Sequence, residues 1–237
     1  MARIMKQQES LKSAFKKRAV AGLGVAITGG VIIAFFNQAQ AASVGIILII
    51  VGLVLISRGY KFHIGSVGEG LVTKVLSSFP DDWYVFNDMI VGRSQIDHIV
   101  ICPKGIYSIE TKNYRGTIYG NAEKQEWYQV IESYTTPFYN PVKQGVGHSV
   151  ALSKYLKKSG FNKVWVNTIV VFTEPSVELK VFSLKVPVIH QSKLSEFFNN
   201  QKQVINPDEC SKTAKSVHKL IHAKRQKGLD VASANMM

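Results

Sequence analysis

Three charged side chains within residues 95–112 interrupt two otherwise apolar runs. Asp97 lies in the first run, and Glu110 and Lys112 lie in the second. The Pro-Lys-Gly sequence at residues 103–105 predicts the turn of a β-hairpin between the two runs. Alternate residues of a strand face the same side, so Glu110 and Lys112 project together, and closing the turn brings Asp97 level with Glu110. Two carboxylates and an amine at one sheet edge can hold a divalent cation and activate a water.

A simpler interpretation is that these charges cover the solvent face of an amphipathic hairpin, since charged side chains are usually solvated. Any one of them alone fits that interpretation. The three together, in so apolar a setting, favour a chemical site.

The net charge of the 237-residue chain is +13, which suggests nucleic-acid binding, but its distribution weakens that argument. Residues 1–18 carry a balance of +5, residues 201–237 carry +4, and Arg58 adds one, which leaves +3 for residues 61–200. The region with the charged hairpin is therefore only mildly basic. Two distant cysteines provide neither a disulfide framework nor zinc-ligand spacing.

Two uncharged stretches, residues 19–36 and 41–57, precede the charged hairpin. A membrane-spanning helix needs about 20 apolar residues, and both stretches are close to the short end of that range. Basic residues flank the pair but are missing between the stretches, so the positive-inside rule places both flanks in the cytoplasm. The sequence predicts a multi-pass protein of the cell inner (plasma) membrane, with its soluble domain and both termini cytoplasmic. Two helices without internal charges offer no transport pathway.

Two other interpretations of the apolar stretches remain open. Ala39, Gln40 and Ala41 resemble the cleavage site of a signal peptide, although the second apolar stretch and the basic residues after it argue against secretion. A buried helical hairpin in a soluble core is the other alternative. Eighteen residues with no polar face argue against it.

From residue 61 the pattern is that of an α/β domain with a mixed central sheet. Apolar spacing predicts a helix over residues 66–79, with Ser66 as its N-cap and Glu69 in a capping box. Besides the hairpin, strands are predicted at residues 83–90, 117–119, 127–131, 164–172 and 186–189. Further helices are predicted from residue 141, where proline suits the first helical position, and at residues 192–198 and 208–222.

Several short motifs in this order resemble the nuclease-related domain (NERD), a branch of the PD-(D/E)xK restriction-endonuclease-like superfamily. The resemblance covers about residues 65–172. The proline of the superfamily motif is replaced by Ile96, which removes no ligand. The matching residues are Gly68, Glu69, Gly70, Gln95, Asp97, His98, Gly105, Glu110, Lys112, Asn113, Gly116, Trp127, Asn140, Pro141, Gln144 and His148.

The resemblance implies a restriction-endonuclease-like mixed central sheet flanked by helices, over residues 65–200, and a metal-dependent nuclease that hydrolyses nucleic-acid phosphodiesters, with DNA as the first expectation. The apolar stretches would anchor this nuclease in the membrane, and the charge pattern predicts a basic helical tail at 201–237. Asp97 and Glu110 would bind Mg²⁺ (or Mn²⁺), and Lys112 would orient or help deprotonate the attacking water and stabilise the transition state. The further site residues implied are Glu69, Gln95 and Gln144.

Simpler roles remain open for several of these residues. Glu69 could serve only in a capping box, and Gln144 could cap its helix or face solvent. His98 points to the opposite face from Asp97 and is interpreted as structural, whereas His148, one helical turn after Gln144, could join the site. Surface positions are expected for Arg115 and Lys143, and core or rim positions for Trp127, Tyr128 and Tyr134.

Two other functions stay possible for such a domain: a catalytically silent nucleic-acid-binding module, or a protein-interaction module tethered to the membrane. A silent domain would be expected to lose part of its catalytic set. The intact set of Asp97, Glu110 and Lys112 therefore favours the nuclease.

Overall fold

The computed structural model describes residues 1–6, 11–35, 39–183 and 185–234, so residues 36–38 between the two apolar stretches and the last three residues lie outside this range. The chain divides into two units. One is Glu9–Val67, and the other combines Met1–Gln8 with Gly68–Met237.

Two long helices carry the apolar stretches, α1 (Leu11–Phe35) and α2 (Ala39–Ser77). By length and composition both could cross a membrane, over Lys16–Phe35 and Ala42–Ser77, and 11% and 17% of an apolar 18-residue window in each are buried. The core of a soluble protein would bury such helices, so this exposure disfavours the buried-hairpin alternative.

Glycines bring the two helices together within the hairpin unit. A Cβ atom added to Gly29 would lie 2.5 Å from the carbonyl oxygen of Gly45, and one added to Gly22 would lie 2.7 Å from that of Gly52. Small residues allow such close helix contact, which is how helices associate in lipid.

We expect Gly29→Ala to destabilise the hairpin by about 1–3 kcal/mol, because the new methyl group overlaps the backbone of α2. Gly30→Ala is the matched control, since nothing lies within 4 Å of its added Cβ. Thermal unfolding of the full chain in detergent micelles measures both variants. Equal midpoints for the two would contradict this packing.

Within the described residues, the second unit contains ten strands and the remaining helices. The strands are β1 (Arg3–Lys6), β2 (Tyr84–Val91), β3 (Ser94–Cys102), β4 (Gly105–Lys112), β5 (Thr117–Asn121), β6 (Glu126–Ile131), β7 (Tyr134–Tyr139), β8 (Val166–Phe172), β9 (Glu178–Phe182) and β10 (Val188–His190). The helices are α3 (Pro141–Lys158), α4 (Leu194–Asn199), which follows a short 3₁₀ turn, and α5 (Pro207–Ala234).

The larger sheet has the order β1-β2-β3-β4-β8-β10 and is mixed. Strands β2, β3 and β4 run antiparallel, while β8 is parallel to β4. One face packs on α2 and α4 through Val72, Leu76, Leu194 and Phe198. The other packs on α3 and α5, so the architecture is the predicted α/β domain with helices on both faces.

The first residues of the chain form an edge strand of this sheet. Strand β1 runs parallel to β2 from the Arg3–Tyr84 pair to the Lys6–Asn87 pair. Ala2 and Met5 pack into the cores on opposite faces. The sequence indicated only a basic flank at this position, because four residues are too few for a periodic signal.

A second sheet has the order β7-β6-β5-β9. Strands β5 and β6 were predicted, whereas β7 and β9 were not. Trp127 is fully buried, while Tyr128 and Tyr134 are 44% and 75% exposed. Strands β5, β6 and β7 follow β4 and lead directly into α3, so their connections fix where α3 begins.

The capping-box prediction for Glu69 is wrong, because α2 runs through this region without a new start. The hydroxyl of Ser66 donates to the carbonyl oxygen of His63, 2.9 Å away, as a residue inside a helix does. Apolar residues continue at helical spacing across residues 56–76, and nothing in that span ends the helix. Glu69 is therefore free of a capping role.

Candidate active site

The β3–β4 hairpin brings two carboxylates side by side. His98 pairs with Ile109, so the next residues, Asp97 and Glu110, lie level on neighbouring strands, as the hairpin predicts. Neighbouring strands are about 4.8 Å apart. Glu110 is buried, at 1% exposure, and such a charge needs partners nearby.

Lys112 provides one of those partners. Its Nζ donates to Glu110 Oε1 at 2.6 Å and to Gln144 Oε1 at 3.1 Å. Burial by itself lowers the pKa of Lys112, but the charge and hydrogen bond of Glu110 outweigh it, and the net pKa lies above the ordinary value. Lys112 is therefore a fixed ammonium, suited to orienting water and stabilising negative charge rather than to accepting a proton.

Asn140 is the N-cap of helix α3, which begins at Pro141. The side-chain oxygen of Asn140 accepts from the amides of Val142 and Lys143, and Pro141 occupies the first turn. The amide group of Asn140 donates to three carbonyl oxygens of the turn between β5 and β6, including that of Lys124 at 2.7 Å. The small sheet and α3 are thereby locked together.

The cap sets the face of α3 that meets Glu110. Gln144 reaches Lys112, and one turn later His148 Nδ1 lies 3.2 Å from Glu110 Oε2. The structure thus brings Gln144 and His148 to the carboxylates instead of leaving Gln144 in solvent.

Gly145 allows α3 to lie this close to the sheet. A Cβ atom added there would be 2.7 Å from Thr168 Cγ2 and 3.5 Å from Glu110 Cβ. Any side chain at this position would push the helix away from β4 and β8.

We predict that Gly145→Ala destabilises the domain by about 1–3 kcal/mol through overpacking and separates Gln144 from Lys112. Gly147→Ala is the matched control, because nothing lies within 4 Å of its added Cβ. That control should gain up to about 1 kcal/mol from higher helix propensity. Urea unfolding of both variants measures the change in unfolding free energy, which should be negative for Gly145→Ala and positive for Gly147→Ala. A stabilised Gly145→Ala would refute the close contact.

Asp97 is partly buried and its Oδ2 accepts from the backbone amide of Thr111 at 2.8 Å. Burial and then the charge of Glu110 raise the pKa of Asp97 to about 8, against the opposing effects of Thr111 and Lys112. Crowded carboxylates of this kind hold protons unless a cation replaces them.

Glu69 approaches from α2. Gly68 packs against the ends of β4 and β8, where an added Cβ would lie 2.7 Å from Thr173 Oγ1 and 2.9 Å from Asn113 Cβ. Burial, followed by the charges of Asp97 and Asp88, raises the pKa of Glu69 to about 9. Glu69 therefore belongs electrostatically to the same acidic group.

His98 lies on the opposite face, as predicted, and is fully buried. Its Nδ1 is 2.8 Å from Asn87 Oδ1, and the amide of Asn87 donates to Thr73 Oγ1 on α2. Burial and then the charge of Lys6 lower the pKa of His98 to about 3. The neutral imidazole fixes β3 against β2 and α2 behind Asp97.

This pKa predicts a pH dependence of stability. A histidine that titrates at about 3 when folded, against an ordinary value of 6.5, contributes its full stability above pH 6.5. The contribution falls as the pH drops from 6.5 toward 3, by up to about 1.4 kcal/mol per pH unit. Urea unfolding should show a steeper loss between pH 6.5 and 4.5 for wild type than for His98→Gln, which does not titrate. Parallel curves would exclude this role.

Of the remaining residues, Gln95 was implied as a site residue, whereas Arg115 and Lys143 were expected at the surface. Gln95 is exposed on β3, and no hydrogen bond of the described residues joins it to Glu110 or Lys112. Arg115 is exposed, and Lys143 donates to Gln125. Sequence reasoning missed Lys6 and Asp88, although a charged residue inside the apolar run of β2 was a signal for Asp88.

The acidic group suits a hard divalent cation bound mostly through water and substrate. In the described ranges, no group of three or more His, Cys, Asp or Glu side chains is placed to hold a metal ion. Mg²⁺ usually takes only one or two carboxylates, with waters and substrate phosphates completing its shell. Asp97 and Glu110 can provide those two, and Glu110 Oε2 is buried without a hydrogen bond of good geometry.

A mixed sheet between helices, with acidic groups and a lysine at the ends of its central strands, defines a restriction-endonuclease-like domain. Residues 64–173 match the model of the nuclease-related domain family. A protein of Bacillus anthracis, described as uncharacterized, is 35% identical over 116 residues, which are 45% of this chain and 55% of that protein. The chain thus spans about half the length of this relative. No solved structure matches.

Proposed function

We propose that this domain is a Mg²⁺-dependent nuclease that hydrolyses phosphodiesters of nucleic acid, with DNA as the first candidate substrate. The observation that carries the proposal is the convergence of Asp97, Glu110, Lys112 and Gln144 from β3, β4 and α3. Its substrate, Mg²⁺ dependence and activity are all parts of the proposal.

The proposed roles of the residues follow from their charges. Asp97 and Glu110 would hold the cation, which when bound supplies Lewis-acid polarisation and an acidified water. Lys112, kept protonated by Glu110, donates hydrogen bonds to water or to a phosphoryl oxygen. Gln144 fixes the Lys112 ammonium, and His148 supports Glu110 from the other side.

The second candidate is a silent domain that binds nucleic acid or protein. The observation that favours it is the ammonium of Lys112, which lies 2.6 Å from a Glu110 oxygen that the cation would need. The mild basic charge of residues 61–200 points the same way.

Cleavage of plasmid and single-stranded DNA by the purified full chain in detergent tests these candidates. The nuclease should cleave with Mg²⁺ or Mn²⁺, stop with EDTA, and lose activity in Lys112→Ala. A wild type that neither cleaves nor binds Mn²⁺ would refute the nuclease. The full chain is needed because a fragment that starts at residue 61 lacks β1.

We further propose that α1 and α2 anchor the domain in the cell inner (plasma) membrane, with both termini cytoplasmic. Strand β1 precedes α1 and pairs with β2, which follows α2, so an anchored chain has both flanks on one side. This supports an even number of crossings. It also argues against signal-peptide cleavage after Ala41, which would remove β1.

A reporter fused after Met237 tests the orientation. A cytoplasmic reporter should be active there, and an exported one should be inactive. Activity only outside the cytoplasm would overturn the assignment. Release of the chain from membranes by carbonate would overturn the anchor itself.

A further inference from the structure

A groove of about 970 Å³ lies along one edge of the larger sheet, and we call it the β8 groove. Its floor is the first half of β8, and its walls come from α3 on one side and from α4 and the loop after it on the other. Among the described residues that line it, none belongs to the carboxylate site. The groove therefore needs an explanation of its own.

The floor of the β8 groove is a strand edge without a full neighbour. On one side β8 pairs with β4 over its whole length, from Val166 to Phe172. On the other side β10 pairs only with residues 170–172, so within the described chain residues 166–169 have one neighbouring strand. A row of backbone N–H and C=O groups without a partner strand is a template for another extended chain.

Pro187 explains why the pairing of β10 stops short. The amide of Val170 donates to the carbonyl oxygen of Pro187 at 2.9 Å, so the backbone groups of Val170 face β10. Alternate residues of a strand direct their backbone groups to the same side, so those of Thr168 face the groove. In a parallel ladder the next donor to the Thr168 carbonyl oxygen is the N–H of residue 187, and proline has none. The ladder from β10 therefore ends there, and the edge stays open.

Apolar side chains form much of the walls of the β8 groove. Val146 and Val150 of α3 line one side and are exposed. Trp165, directly before β8, is 80% exposed, and Val204, in the loop after α4, is 71% exposed. Tryptophan is enriched among the residues that dominate the energy of protein interfaces. These side chains therefore suit an apolar partner surface.

The charges that line the β8 groove are positive. Among its described residues the charged ones are Lys104, Lys185 and Lys202, without an acidic side chain. The Nζ of Lys104 donates to the carbonyl oxygens of Phe198 and Asn199, which fixes the end of α4. Lys185 and Lys202 are exposed. A partner with acidic side chains would be attracted to this edge.

We propose that the β8 groove binds an extended, acidic segment of a partner protein, which adds a strand to the open edge of β8. About four residues of the partner, at about 3.3 Å each, pair with residues 166–169. Alternate side chains of this strand pack on the two walls, and acidic side chains beside them reach Lys185 and Lys202. The inference goes beyond the proposed nuclease function and does not depend on it.

Two other occupants fit the β8 groove less well. The nucleic-acid backbone presents phosphate oxygens, which accept hydrogen bonds but cannot donate to the Thr168 carbonyl oxygen, whereas a peptide strand offers both donors and acceptors. A symmetric second copy of this chain would have to present the same edge. Two edges that each lie recessed between helices cannot reach one another. The open strand edge therefore favours an extended peptide.

A fluorescein-labelled peptide of alternating valine and glutamate, about eight residues long, tests the inference on the full chain in detergent without metal. Fluorescence anisotropy should show saturable binding, and hydrogen exchange should slow at the amides of residues 166–168. Two control peptides of the same length should bind about tenfold more weakly or worse. One alternates valine and lysine, and the other is the valine–glutamate peptide with alternate backbone nitrogens methylated.

Variants of the groove test the same binding. Trp165→Ala should weaken it about tenfold or more, with an unchanged unfolding temperature because the side chain is exposed. The double variant Lys185→Glu with Lys202→Glu should weaken it by a similar factor. Lys124→Glu makes the same change in the exposed turn between β5 and β6, and this matched control should bind like wild type.

Several outcomes would overturn the inference. They are the absence of saturable binding by the valine–glutamate peptide, equal affinity for either control peptide, and wild-type affinity in both Trp165→Ala and the double lysine variant. A labelled oligothymidylate that binds in place of the peptide, and loses affinity in Trp165→Ala, would make the groove a nucleic-acid surface instead. Because these measurements use neither metal nor cleavage, their failure leaves the proposed nuclease untouched.

Discussion

Asp97→Asn is expected to lower the cleavage rate at saturating Mg²⁺ by on the order of 10³-fold or more. A bound cation stabilises the developing charge by several kcal/mol, and each 1.4 kcal/mol is about tenfold in rate. Asparagine keeps an oxygen for the Thr111 amide, which now lies 2.8 Å from the Asp97 carboxylate. The backbone of the hairpin should therefore stay in place.

Stability should change in the other direction. The pKa of Asp97 is raised to about 8, so its charge is unfavourable in the folded chain near neutral pH. Removing that charge should keep or increase the unfolding free energy without metal. Plasmid cleavage under single-turnover conditions, with urea unfolding beside it, measures both.

Asp81→Asn makes the same chemical change at an exposed position before β2 and serves as the control. It should leave both quantities unchanged. Cleavage that survives Asp97→Asn would place the chemistry elsewhere or reveal a contaminating nuclease.

Deletion of residues 2–6 should reduce the unfolding free energy by about 3–5 kcal/mol, the effect of leaving a buried ion without its partner. The deletion removes Lys6 from Asp88 and exposes the edge of β2. It also breaks the hydrogen bond from the Arg3 amide to the Trp83 carbonyl oxygen, 2.8 Å long. Trp83 is 3% exposed, so its fluorescence should report the change during urea unfolding.

Lys6→Gln in the otherwise intact chain removes the ion pair but keeps strand β1. This variant should therefore lose only part of the unfolding free energy that the deletion removes. Lys193→Gln, which breaks an exposed pair with Glu196, is the surface control and should lose less than about 1 kcal/mol. A peptide of residues 1–8 added to the deleted chain should restore stability. An unchanged unfolding midpoint after the deletion would show that β1 does not hold this edge.

The hairpin and the helix after residue 140 could be predicted from local patterns. Two apolar runs joined by a Pro-Lys-Gly turn predict the pairing of β3 and β4, and so put Asp97 beside Glu110. Asn140 and Pro141 mark a helix start by chemistry that depends only on neighbouring residues. Such signals can be recognised because the interactions that produce them are short-range.

Other features of the fold and site could not be predicted from local sequence patterns, because they depend on contacts between distant residues. Ser66 has the sequence of an N-cap, but α2 is already helical on both sides of it, so no helix start is available to cap. Strands β7 and β9 acquire partners only when the small sheet assembles. Gln95 fits the family motif, and its side chain is exposed on β3.

The sequence by itself determined the order of the elements, the two apolar helices, and the carboxylates and lysine of the β3–β4 hairpin. Periodicity and turn chemistry act over a few residues and are written directly in the chain. Only the tertiary structure decided that Lys6 lies beside Asp88, more than eighty positions away, and that Gly145 brings Gln144 to Lys112. Those contacts arise from sheet order and helix packing, which join residues that the sequence keeps far apart.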